Sequence, residues 1–212
     1  MFHDTLVSFA ERRGIFMIID FDTELNTMVS GKNLMNSYKL YFLKVLLINV
    51  SSSNRIFSFY EMAAWMCAYS FSDVCSLGKR IRPLDKLYDV AVMAINQEDL
   101  MQSSKIEEIY DAINNTDRKE LKREVSALCN YVPYRLIAYL WQDQLKGKTD
   151  KEKNQIIEKL SRNEDANIYS IYTIDEAMKH IEVFPNWADY IVKNRKRLVA
   201  WIDDKIAAFV WR

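Results

Sequence analysis

Residues Lys32–Asn49 read KNLMNSYKLYFLKVLLIN, and residues Phe59–Val74 read FYEMAAWMCAYSFSDV. Both are apolar almost all round at helical spacing, through Leu34, Met35, Tyr38, Phe42, Val45 and Leu46 in the first and Trp65, Met66, Tyr69 and Phe71 in the second. A helix with no polar face has to be covered on every side. The pair is therefore expected at the centre of an all-α, irregular bundle of about eight helices. The most apolar run, Leu40–Val50, is far shorter than the ~20 residues that cross a bilayer, so no membrane partner is expected.

The surroundings of these two segments agree. The chain holds only 4 Gly and 3 Pro in 212 residues, too few for a turn-rich β fold. Ser51-Ser52-Ser53-Asn54 is a loop. Ser58 and Glu61 have the spacing of a capping box, in which the hydroxyl takes an early helix N–H and the carboxylate reaches back. Leu77-Gly78 ends that helix. Pro83 suits the first turn of a third helix, which continues on Leu84, Leu87, Tyr88, Ala91, Val92 and Ile95. Ser104 with Glu107, and Asp117 with Glu120, start two more polar helices, Ser104–Asn114 and Asp117–Cys129. Tyr131-Val132 should be extended before Pro133, which opens a helix through Leu136 and Trp141. Thr149 and Glu152 open Asp150–Arg162. Tyr169–Tyr172 reads as a short extended piece, and Thr173 with Glu176 as the start of a helix to about Val183. The last helix, Asn186–Arg212, would be about 40 Å long. The whole chain, 1–212, reads as one helical domain. Residues 1–30 form an acidic N-terminal arm in which Ile15–Phe21 is a short strand or an extended piece.

The chemistry is sparse. Lys plus Arg and Asp plus Glu both number 29, so nucleic-acid binding would need the positive charge gathered on one face. Three such clusters exist. Lys79, Arg80 and Arg82 precede Pro83. Lys193, Arg195, Lys196 and Arg197 run along the last helix, where Lys193, Lys196 and Arg197 share a face. Lys146, Lys148, Lys151 and Lys153 alternate with acids. We take Lys79, Arg80, Arg82, Lys193, Lys196 and Arg197 as candidates for contact with DNA or a protein partner.

The two histidines, His3 and His180, have no second ligand at metal-binding spacing, and no phosphate-cradling glycine loop or nucleophile elbow occurs. No catalytic residue, metal site or cofactor is expected. Cys67, Cys75 and Cys129 form no CxxC and read as reduced thiols in the cytoplasm. The acidic pairs Asp20/Asp22 and Asp203/Asp204 read as solvated surface. The most unusual stretch is Tyr131-Val132-Pro133-Tyr134-Arg135. An Arg one turn into an apolar helix suggests a buried, paired guanidinium at a structural corner pinned by Tyr131, Pro133, Tyr134 and Arg135.

Val132-Pro133-Tyr134-Arg135 following an amphipathic helix resembles the VPYR-type segment of bacterial proteins with a C-terminal HNH endonuclease domain. Gly31-Lys32, the Met62–Phe71 helix, Leu84-Asp85-Lys86-Leu87 and Trp187-Ala188-Asp189-Tyr190 with Asn194 and Trp201 fall in the matching order, over residues 30–212. In that family the nuclease motif follows the helical region, with an Asp-His pair and a later Asn. No such motif occurs before Arg212, and His3 and His180 match neither position. The resemblance implies a non-catalytic helical module of a bacterial DNA-processing or phage-defence system, which binds DNA or positions a nuclease domain. It implies either the N-terminal portion of a longer nuclease or a stand-alone relative. The alternative reading is a helical protein–protein interaction domain with no nucleic-acid role.

Overall fold

The computed structural model describes residues 20–31, 34–162, 167–174 and 178–211. Its centre is the expected pair of helices, α2 (Tyr38–Asn49) and α3 (Phe59–Leu77). Leu40, Tyr41, Phe42, Leu43, Val45, Leu46 and Leu47 are all fully buried in α2, which leaves it no water-facing stripe. α3 opens as its sequence requires, with the Ser58 hydroxyl accepting from the Glu61 N–H at 3.1 Å. It closes on Gly78, whose left-handed φ of 60° suits a residue without a Cβ.

Around this pair lie α1 (Phe21–Met28), α4 (Leu87–Gln97), α5 (Ile106–Asn114), α6 (Lys119–Leu128), α7 (Val132–Ile137), a 3-10 turn (Ala138–Trp141), α8 (Gln142–Leu145), α9 (Asp150–Ser161) and α10 (Pro185–Val210). α4, α5 and α6 cover α3, while α10 runs along α2. Buried side chains from Phe21 to Val210 form one contiguous apolar core. The protein is thus mainly α-helical with one small sheet.

The sheet corrects part of the sequence reading. Three antiparallel strands, β1 (Ile56–Ser58), β2 (Tyr169–Ile174) and β3 (Met178–Val183), are ordered β1-β3-β2. The extended piece at Tyr169–Tyr172 is therefore a strand, but the helix from Thr173 to Val183 is not formed. Ile181 and Val183 point into the core while Glu182 points out, the period of two that a half-buried strand needs. Ile171 pairs with Ile181 on one side and Phe57 with Ile181 on the other. Glu176, the other half of the supposed cap, lies outside the described residues.

Other boundaries shift as well. α2 begins at Tyr38 rather than Lys32, and the hydroxyl of Ser37 at its N-cap donates to buried Asp85 and makes no capping bond. α4 begins at Leu87 rather than Pro83, where the Asp85 carboxylate accepts the Leu87 N–H at 3.0 Å. The reciprocal partner of Glu108 at the start of α5 is the Lys105 N–H, one residue beyond the expected Ser104. α6 starts on Arg118 as its cap rather than on Asp117. Val132 is already helical, and the helix after Pro133 tightens into the 3-10 turn at Ala138. Residues 15–19 lie outside the described chain. Residues 21–28 form α1, which packs on α10 through Phe21, stacked 4.4 Å from Tyr190 and edge-on to Trp187 at 4.7 Å.

Candidate functional site

A groove of about 650 Å³ opens between the start of α2, the α3–α4 loop, the end of α6 and α7. Its walls come from four separate parts of the chain, and hydroxyl and carboxylate clips hold them together. The Tyr38 hydroxyl accepts the Lys86 N–H at 2.5 Å and donates to the Leu84 carbonyl at 3.3 Å. Burial pushes this phenol far above its ordinary range, so it remains a neutral hydrogen-bonding group. One residue earlier, the Ser37 hydroxyl donates to Asp85. Asp85 is 1% exposed; burial raises its carboxyl, and the bonds from Ser37 and the Leu87 N–H partly offset that. The α3–α4 loop is thereby tied to the start of α2 at two consecutive residues.

The groove mixes apolar and cationic surface. Met35 is 83% exposed, Leu84 84% and Tyr131 44%, and all three line it. Among the described residues its charged lining groups are Lys39, Lys86 and Arg135, with no carboxylate. Lys86 pairs with Glu124 at 3.1 Å, and Arg135 pairs with Asp150 at 3.1 Å while lying 4.7 Å over the Tyr131 ring. Lys39 is half-buried and has no ion-pair partner among the described residues. Burial, and then the neighbouring Arg135 guanidinium, lower its ammonium to about 8.

The corner around Pro133 is pinned differently from expectation. The Tyr169 hydroxyl donates to the Pro133 carbonyl at 2.5 Å, and buried Tyr134 receives the Lys179 ammonium at 2.5 Å, which also pairs with Glu158 at 2.9 Å. Arg135 is not a buried guanidinium. Its side chain is 51% exposed, because its long stem reaches past the helix to Asp150 and water.

The basic candidates do not form one surface. Arg80 is held by Asp89 at 2.5 Å and by the Pro83 carbonyl. Arg82 lies 4.9 Å over the Phe209 ring, near the far end of α10. Phe209 is 12 residues or more beyond Lys193, Lys196 and Arg197, so it sits about 18 Å or more along the helix and at least about 120° around it. Arg197 pairs with Asp22 at 2.9 Å and donates to the Tyr190 hydroxyl at 2.7 Å, which fastens α10 to α1. Arg195 donates to the Val50 carbonyl at the end of α2. Lys79 and Lys196 are exposed.

Sequence reasoning missed the groove because Met35 and Leu84 were assigned to buried helical stripes. In both cases the helix starts later, and the apolar side chain is left on a loop. The signal available was a short apolar piece flanked by turn formers, Leu34-Met35 between Asn33 and Asn36 in one case and Leu84 between Pro83 and Asp85 in the other. Among the described residues no group of three His, Cys, Asp or Glu side chains is arranged to hold a metal ion, and no helix is long and apolar enough to cross a membrane. No protein-family model, curated protein or solved structure matches the chain.

Proposed function

We propose that this chain is a non-catalytic helical module for protein–protein interaction, and that a partner segment docks in the groove between α2, α6 and α7. The observation that carries the reading is the clustering of Met35, Leu84 and Tyr131, all exposed, around one concavity. Contiguous exposed apolar surface rimmed by polar groups is characteristic of interaction sites. The groove lies within the 300–1,000 Å³ range of binding clefts. The clips through Tyr38 and Asp85 hold its walls in place before binding, which lowers the ordering cost of association. A reducing cytosolic setting fits the three free thiols.

The second reading is the DNA-contacting module of an HNH-type bacterial defence or restriction system. It is favoured by Lys193 and Lys196 on one exposed stretch of α10. It is weakened by the use of Arg80, Arg195 and Arg197 within the fold and by the separation of Arg82 from the α10 run.

Photo-crosslinking in cells separates the two. A benzophenone amino acid at Leu84 should give one dominant protein adduct, and the same group at Lys196 should give no nucleic-acid adduct. A nucleic-acid adduct at residue 196 with none at residue 84 would reverse the order of the readings. Duplex binding in vitro should likewise be undetectable at physiological salt. Phosphate contacts through Lys193 and Lys196 would instead give binding that weakens steeply with salt.

A further inference from the structure

Resting on the groove reading above, we propose that the docked segment is acidic as well as apolar, with one of its carboxylates seated against Lys39 beside Arg135 and its apolar side chains covering Met35 and Leu84.

The charge pattern selects the occupant. Among the described residues, three cations and no carboxylate line the cleft, whose other walls are apolar side chains with the neutral Asn36 and Asn130 and the tyrosines Tyr38 and Tyr131. Two of the three are already satisfied from outside it, Lys86 by Glu124 and Arg135 by Asp150. Lys39 is left half-buried beside a second positive charge, with no ion-pair partner among the described residues. A buried ammonium is costly until it is paired, and the folded protein relieves the cost by letting Lys39 lose its proton near pH 8. An incoming carboxylate supplies the missing partner. The other lining groups that could titrate or carry charge are Arg135 from α7, Lys86 from the α3–α4 loop, Tyr38 on Lys39's own helix and Tyr131 before α7. α6 contributes only the apolar Ala127 and Leu128. No lining group competes with a guest for Lys39. A nucleic-acid backbone fits less well, because it carries a row of charges and the groove offers one cation without an ion-pair partner among the described residues. One face of the Tyr131 ring is moreover already covered by Arg135.

Binding and proton uptake are then coupled with a definite sign. The guest carboxylate favours the charged ammonium, so the affinity is fully present below pH 8. It declines as pH rises through 8 towards the higher value Lys39 takes in the complex.

The test is random 12-residue peptide display on the full chain, depleted against Leu84→Asp. The selected peptides are then titrated by fluorescence anisotropy between pH 6.5 and 9.5. The expected winners combine Asp or Glu with Leu, Ile, Phe or Met. Their affinity for wild type should fall above pH 8. In Lys39→Gln it should be at least about tenfold weaker, the value of one charge-assisted contact. In Lys39→Arg, which keeps its charge throughout, binding should persist and the pH dependence should disappear. Winners that need Leu84 but carry no acidic residue, or acidic winners that bind Lys39→Gln as tightly as wild type, would overturn the carboxylate subsite and leave the docking groove standing. Absence of any winner sensitive to Leu84→Asp would overturn the groove reading itself. Leu84 is 84% exposed, so that variant keeps the fold intact as a control.

Discussion

Asp85 stands between the α3–α4 loop and two helices, accepting from the Ser37 hydroxyl and the Leu87 N–H while nearly excluded from water. Asp85→Ala removes both acceptors and leaves two buried donors unpaired, so it should cost about 2–3 kcal/mol in urea unfolding. Asp85→Asn still accepts the Leu87 N–H and can donate to Ser37, and should cost less than about 1 kcal/mol. Because burial raises the Asp85 carboxyl, the folded protein holds that proton more tightly than the unfolded chain does. Its contribution is therefore greatest at low pH and is lost as pH rises from about 4 through the raised folded value, after which it is constant. The stability of wild type relative to Asp85→Asn, followed by urea titration from pH 3.5 to 7, should decline over that window and then flatten. None of this was legible in Leu84-Asp85-Lys86, whose partners Ser37 and Tyr38 lie almost fifty residues earlier. The same distance hid the groove. By contrast, the hydroxyl and carboxylate of Ser58 and Glu61 lie within one turn of each other, and their role could be read directly.

The elements divide by the range of the interactions that define them. α9 is local: the Glu152 carboxylate accepts the Thr149 N–H at 2.8 Å, and the Thr149 hydroxyl takes the Glu152 N–H. Thr149→Ala should lower stability by about 1 kcal/mol, and Gly78→Ala at the left-handed end of α3 by a similar amount, both visible as a lower denaturation midpoint. β3 is non-local. Its register with β1 joins His180 to Ser58 across most of the chain, while Thr173 and Glu176 present cap spacing nearby. A local rule chose helix, and the long-range pairing made a strand. α10 shows a third case, where the pattern was visible and its use was not. Its basic run supplies Arg197 to Asp22 and Tyr190, and Arg195 to Val50. Arg197→Ala should therefore cost about 1 kcal/mol, discounted because the pair is half-exposed. Lys196→Ala should change stability by less than about 0.5 kcal/mol. Equal effects on the thermal midpoint would contradict the assigned role of Arg197.

At the scale of the molecule, α10 and α1 close one side of the α2–α3 centre, and Trp187 is the side chain where they meet. It is fully buried, edge-on to Phe21, and its indole N–H has no hydrogen-bond partner among the described residues. Trp187→Ala should cost about 3–5 kcal/mol by opening a large cavity. Trp187→Phe should cost far less, since it keeps much of the ring and removes the unpaired N–H. Urea curves for the two variants, with slopes compared, check this. The all-helical centre was legible because α2 and α3 announce their burial in composition alone. The neighbours that bury them had to be found in the structure.

That arrangement has a consequence during synthesis. α2 ends at Asn49, but α10, which covers it, begins only at Pro185. At about 5–20 residues per second, a helix with no hydrophilic side leaves the ribosome on the order of 10 s before its cover exists. Over that interval the nascent chain depends on provisional burial against α3 and on whatever shields it from its neighbours on the polysome. Faster elongation between residues 50 and 184 should therefore raise the soluble yield of newly made protein while leaving the stability of the finished fold untouched.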